Sequence, residues 1–247
     1  MTAHATLLID ESADRVVVTL NRPEKRNAID ARMVEELHAV CETLEAEPRI
    51  LIITGADGVF ASGADIAELL ERTAADARRG INATVFSRIN SLPMPVIAAV
   101  DGWALGGGAE LAYAADLRVG TPRVRIGNPE TGLGIIAAAG ALWRLPELVG
   151  EPLAMELALT GRVLTGEEAL AVRLLSQLFE PDDLLAGAHA LADRIAANDP
   201  LATRMTKEVL RAPRADHPRV EREAQAVLFE SPEKRRRMTE FLERRRR

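Results

Sequence analysis

Hydrophobic positions in the first half of the chain switch between two periods. Apolar runs at residues 6–9, 15–20, 50–55 and 96–100 are rich in Val, Ile and Leu, end in polar or glycine-containing turns, and read as buried strands. Between them, Met33, Val34, Leu37, Val40, Cys41 and Leu44 recur at helical spacing, with Asp30 placed to cap that helix. A loop at 61–65 and a polar helix over 74–89 follow, and Pro93 and Pro95 break the chain before the strand at 96–100. Strands alternating with helices predict an α/β fold.

Beyond Glu130 the pattern becomes helical. Residues 137–144 and 152–159 have helical composition, and Thr165 and Glu168 have capping-box spacing before a helix over 169–174. Residues 175–179 read as a last short strand. Four helical segments then run from residue 182, bounded by Asn198-Asp199-Pro200, Ala212-Pro213 and Ser231-Pro232, with Ser231 as a cap and Pro232 at the first helical position. This predicts a core domain over residues 1–190 and a C-terminal helical region over 191–247, serving oligomerisation and active-site cover.

The chemistry concentrates at residues 96–130. The strand at 96–100 meets Asp101-Gly102 and then Gly106-Gly107-Gly108, which lead into the helix-forming stretch Ala109-Glu110-Leu111-Ala112-Tyr113. Glycines admit unusual backbone angles and close approach of another molecule. The first N–H groups of the helix are free, with the positive end of the macrodipole behind them, and so suit a negative oxygen. Glu110 lies on the first turn of this apolar helix, and Glu130 follows a further apolar strand.

Composition narrows the classes. The 247 residues, 47% hydrophobic and 28% charged, are enough for one large domain with a full core. A net charge of −6 argues against nucleic acid, whose phosphates an acidic surface repels. No apolar run reaches membrane-spanning length. The first ten residues lack a secretory pattern, and the single Cys41 excludes an internal disulfide, so a cytoplasmic location is expected. His4, His38, His189 and His217 lack ligand spacing, so no metal site is expected.

Several ordered motifs carry a resemblance. Asn21-Arg22-Pro23 with Asn27-Ala28, Ser62-Gly63-Ala64-Asp65-Ile66, and the run from Ile97 through Val100-Asp101-Gly102-Trp103-Ala104-Leu105-Gly106-Gly107-Gly108-Ala109-Glu110 resemble the enoyl-CoA hydratase/isomerase (crotonase) family. Asn128-Pro129-Glu130, Gly132-Leu133-Gly134, Thr160-Gly161 and residues 238–245 continue it across essentially the whole chain. The resemblance implies a spiral of repeated ββα units with a C-terminal helical region, assembled as a homotrimer or a hexamer of two trimers. It implies an acyl-CoA substrate, with coenzyme A part of that substrate and no separate cofactor.

By the same resemblance, the backbone N–H groups of Ala64 and Gly107 form an oxyanion hole for the thioester oxygen, where enolate charge collects. Glu110 is implied as the base that activates water and Glu130 as the proton donor to Cα, which favours hydration of a 2-enoyl-CoA. Isomerisation, which usually keeps one carboxylate, and hydrolysis are alternatives, as is a non-catalytic acyl-CoA- or RNA-binding scaffold. Lys25, Arg26, Ala28, Ala61, Asp65 and Ile66 are implied around the CoA moiety. Read without the resemblance, Lys25 and Arg26 are solvated surface, Asp65 is a helix cap and Asp116 a hydrogen-bond acceptor at the sheet end. Departures fall in the acyl pocket: alanines at 137–139, Ala138 among them, stand where the family keeps glycines, and Trp143 stands where it keeps an amide. These departures predict an acyl preference other than that of a short-chain crotonyl-CoA hydratase.

Overall fold

The computed structural model describes residues 5–245, so His4, Arg246 and Arg247 lie outside the described residues, as do the outer ends of the two expected domains. The chain opens with the hairpin strands β1 (Leu7–Glu11) and β2 (Arg15–Leu20), then α1 (Ala31–Ala46) and β3 (Ile50–Gly55). Asp30 caps α1 by accepting from Met33 N. Next come α2 (Ile66–Glu71), α3 (Ala74–Arg79), α4 (Ile81–Asn90), β4 (Val96–Val100), β5 (Trp103–Leu105), α5 (Gly107–Ala114), β6 (Leu117–Gly120) and β7 (Arg125–Gly127). The C-terminal part comprises α6 (Ala141–Val149), α7 (Glu151–Thr160), β8 (Val163–Thr165), α8 (Gly166–Ala171), β9 (Gln177–Leu178), α9 (Leu184–Ala196), α10 (Pro200–Arg211), α11 (Arg219–Glu230) and α12 (Pro232–Arg244).

The large sheet has the order β1-β2-β3-β4-β6-β9, parallel except for β1, and a second sheet has the order β5-β7-β8. Successive units place one strand in each sheet: β4 then β5, followed by α5, and β6 then β7, followed by α6. In the preceding unit the second strand is reduced to the single bridge between Ala61 and Ala104. This is the expected spiral of ββα units.

The large sheet is buried on both faces, as its near-continuous apolar strands require. Val16, Val18, Leu51, Ile53, Ala98 and Val100 point into the core shared with α1, α4 and α5. Val17, Ile50, Ile52, Ile97, Ala99 and Val119 point the other way, onto Leu184, Ala188 and Ala192 of α9. The boundary expected at residues 190/191 therefore falls inside α9, a helix whose one face completes the core.

Several local expectations change. The polar helix expected over 74–89 is two helices, because Gly80 adopts φ +63 between α3 and α4. The helix expected from 137 begins only at Ala141, because Gly140 has φ +129 and the N–H of Ala139 before it is turned to a side chain described below. Ser231 occupies the N-cap of α12 without a side-chain capping bond. Thr165 and Glu168 form the expected capping box.

Candidate active site

The three glycines have three different neighbours. Gly106 adopts φ +51 and ψ −121, a conformation that glycine tolerates and side-chain-bearing residues rarely adopt. A Cβ on Gly108 would collide with the Ala61 carbonyl and lie 2.8 Å from the Ala61 Cβ, so Gly108 serves packing. A Cβ on Gly107 would lie 3.3 Å from Ala64 N, which puts these two backbones side by side. Gly107 is the first residue of α5 and its N–H has no partner within the helix. Neither it nor Ala64 N donates to another backbone group among the described residues. Both residues line a cavity of about 550 Å³.

Glu110 and Glu130 line the same cavity. Glu110, 3% exposed, sits one turn into α5, and its Oε1 accepts from Ala139 N at 2.7 Å and Ala141 N at 3.1 Å. Burial pushes its carboxyl up from 4.5 to about 7, against the pull of the Ala141 N–H and with the charge of Glu130 adding to the rise. Glu130, at the start of a short turn after β7, has less support. Asn128 Nδ2 lies 3.4 Å from its Oε1, and Oε2 has no partner among the described residues. Burial raises this carboxyl too. Two buried carboxylates facing one space do not both ionise readily, so the pair can hold one proton and pass it.

Whole-chain comparisons place the sequence and the fold among known proteins. The model of the enoyl-CoA hydratase/isomerase family matches residues 11–247. The chain belongs to this family. It is 36% identical to the short-chain-enoyl-CoA hydratase of Clostridium acetobutylicum, covering 97% of this chain and 95% of that one. It is 34% identical to the crotonyl-CoA hydratase of Syntrophomonas wolfei, covering 98% and 97%. The crystal structure of the enoyl-CoA hydratase from Bacillus anthracis superimposes with a TM-score of 0.92 at 31% identity, covering 97% of this chain and 96% of that one.

Within this enoyl-CoA hydratase/isomerase fold, the other expected site residues separate. Ile66 and Ala138 line the cavity; Lys25, Arg26, Ala28, Ala61, Asp65 and Trp143 do not. Lys25 and Arg26 are exposed on a loop whose carbonyls are held by Ser62. Ala28 O accepts from Arg22, Ala61 O from Leu105 N, and Asp65 caps α2 through Ala67 N. Trp143 departs from the acyl-pocket expectation: it is 54% exposed, with the Arg144 guanidinium 4.0 Å from its ring centroid. Gly140 has φ +129, a region that residues with a side chain rarely adopt, and a Cβ there would also meet that same guanidinium.

Two polar residues near the carboxylates carry no motif. Tyr113 is fully enclosed, and its hydroxyl lacks a partner among the described residues. Asn82 lines the cavity at 8% exposure. It occupies the first place of the stripe Asn82, Val85, Phe86, Ile89 on α4, and an amide where helical spacing asks for a hydrophobe is the signal that finds it. Helix α2, overlooked between the loop at 61–65 and α3, supplies Leu69 to the cavity, while Arg72 just beyond it lines the wall as well.

Proposed function

We propose that the protein is an enoyl-CoA hydratase that adds water across the 2,3-double bond of a 2-enoyl-CoA thioester. The carrying observation is that Glu110 and Glu130 line one cavity together with Ala64 and Gly107, whose backbone N–H groups have no backbone acceptor among the described residues. The thioester oxygen lies against the N–H groups of Ala64 and Gly107, whose dipoles are fixed before reaction and aimed where charge develops. Water bridges Glu110 and Glu130. Glu110 takes its proton, the hydroxyl oxygen bonds to Cβ, and the π electrons move to the thioester oxygen as an enolate. Collapse of the enolate takes the Glu130 proton at Cα and yields the 3-hydroxyacyl-CoA.

The two N–H groups on Glu110 Oε1 oppose the burial that holds its carboxyl up at about 7, so the charged form that a base requires is present above that pH, and burial holds the Glu130 carboxyl up as well. The addition forms one C–O and one C–H bond at the expense of the C=C π bond and one O–H bond of water, with no net change of oxidation state, so it balances without a redox partner. Isomerisation would use one carboxylate, and the presence of two in one cavity supports hydration. The exposed Val227, Phe229, Met238, Phe241 and Leu242 of α11 and α12 support the trimeric or hexameric assembly, in which other copies cover them. We infer from the alanines at 137–139 an acyl preference shifted from crotonyl-CoA.

Product identification with a panel of enoyl-CoA and 3-hydroxyacyl-CoA esters tests this reading. Hydration is expected in the wild type, with Glu110→Gln and Glu130→Gln each losing more than about 10²-fold. Wild-type turnover in both variants would overturn it. Light scattering decides the assembly.

A further inference from the structure

Helix α4 packs on α5, and the spacing of its stripe turns Asn82 to that side, toward the first turn of α5. Which end of the amide faces the cavity is set by Arg72, whose Nη1 donates to Oδ1 at 3.2 Å. The amino end is left facing Gly107: a Cβ there would lie 3.6 Å from Asn82 Nδ2 as well as 3.3 Å from Ala64 N. Three nitrogens bearing N–H groups thus surround one small space: Ala64 N, Gly107 N and Asn82 Nδ2. The Arg72 charge on Oδ1 draws electron density from the amide and makes its N–H a better donor.

We propose that Asn82 Nδ2 is a third hydrogen-bond donor to the thioester oxygen of the substrate, and that Arg72 is the residue that positions it. This rests on the acyl-CoA reading above. A thioester carbonyl offers two lone pairs, which the N–H groups of Ala64, Gly107 and Asn82 share in the bound substrate. The enolate oxygen offers a third, so the contact with Asn82 strengthens as charge develops. An interaction stronger in the transition state than in the bound substrate acts on kcat and leaves KM nearly unchanged.

The competing account is that Asn82 only ties α4 to Arg72, and Asn82→Asp separates the two. An aspartate keeps an acceptor for Arg72, so the tie survives; it has no N–H to donate and brings a like charge to the enolate. Expected for N82D is a kcat loss on the order of 10²-fold or more, with KM and melting temperature little changed. N82A is expected to lose kcat less steeply, because it removes the donor without adding charge. Arg72→Met should lose part of the same effect and add little to N82A, since the two act as one unit.

A second readout is the infrared carbonyl stretch of an enoyl-CoA thioester bound to each protein. Removing a donor should move it back toward the frequency in water. Wild-type hydration together with unchanged kcat and carbonyl frequency in N82D overturns the assignment of Asn82 alone. Binding without hydration in the wild type overturns the hydratase reading alone, because the carbonyl shift still reports on Asn82. Failure to bind any acyl-CoA overturns both.

Discussion

The Glu110 carboxylate is held at 2.7 Å by the backbone N–H of Ala139, a residue whose side chain plays no part in the contact. The alanine-rich stretch thus reaches the chemistry through its main chain. Raising a carboxyl from 4.5 to about 7 means that the folded state binds its proton more tightly than the unfolded chain. The associated stability is present in full below about 4.5 and is lost as pH rises through 7, a difference of about 3 kcal/mol. A glutamine at this position keeps an oxygen for both N–H groups and carries no charge. E110Q should therefore abolish hydration yet unfold at a higher temperature than wild type at pH 8, with the gain vanishing near pH 4. Denaturation at the two pH values measures this.

The same shift predicts the pH dependence of turnover. A base is useful only when deprotonated, so kcat/KM for hydration should rise with pH through about 7 and fall below it. The rise reports the carboxylate pair and not one residue, since each charge raises the proton affinity of the other. A profile flat from pH 5.5 to 8 would contradict this placement of the proton.

Neighbouring glycines should fail in different ways. Gly107→Ala puts a methyl 3.3 Å from Ala64 N, in the space assigned to the substrate oxygen, so activity should fall by roughly 10²-fold or more with little loss of stability. Gly108→Ala meets the Ala61 carbonyl and Cβ inside the core, so stability should fall by about 1–3 kcal/mol. Parallel melting curves and rates on the two variants separate these outcomes.

How far these features could be read from the sequence follows from the range of the forces. The strands, α1 and the capping box at Thr165 are written in local periodicity and short-range hydrogen bonds, and they appear where expected. Asp65 and Asp116 likewise act as the cap and sheet-end acceptor that their residue type suggested. The start of α6 is not legible in the sequence, because the N–H groups of Ala139 and Ala141, on either side of Gly140, answer to Glu110, about thirty residues away. Trp143 differs for a similar reason: its ring lies outside the cavity against the Arg144 guanidinium, a placement that its position beside the alanines does not reveal. Asn82 was hidden in a stripe whose other members are ordinary core.

The placement of Trp143 gives a further prediction. Because the indole lies outside the cavity and stacks on Arg144, Trp143→Ala should leave the acyl-chain preference unchanged and cost about 1 kcal/mol of stability at most. Ala138 lines the cavity, so Ala138→Leu should depress kcat/KM more for longer enoyl-CoA esters than for shorter ones. Rates across a chain-length series, compared as ratios within each variant, measure both effects.

Helix α10 is fastened to the end of the large sheet by Lys207, whose Nζ lies 2.7 Å from Asp116 Oδ2 and donates to Met94 O at 2.9 Å. Asp116 also accepts from Val96 N and pairs with Arg211, so it links β4 to α10. Removing one partner of a buried pair leaves the other charge poorly compensated, which costs more than the pair itself contributes. Arg211 still pairs with Asp116 when Lys207 is replaced, so Lys207→Met should destabilise the protein by about 1–3 kcal/mol, while adding Asp116→Asn to it should cost less than the separate effects combined. Hydrogen exchange locates the loss. If α10 opens independently of the core, its amides should exchange faster in K207M while those of β3 and β4 stay protected; uniform loss of protection would mean that α10 and the sheet unfold as one unit.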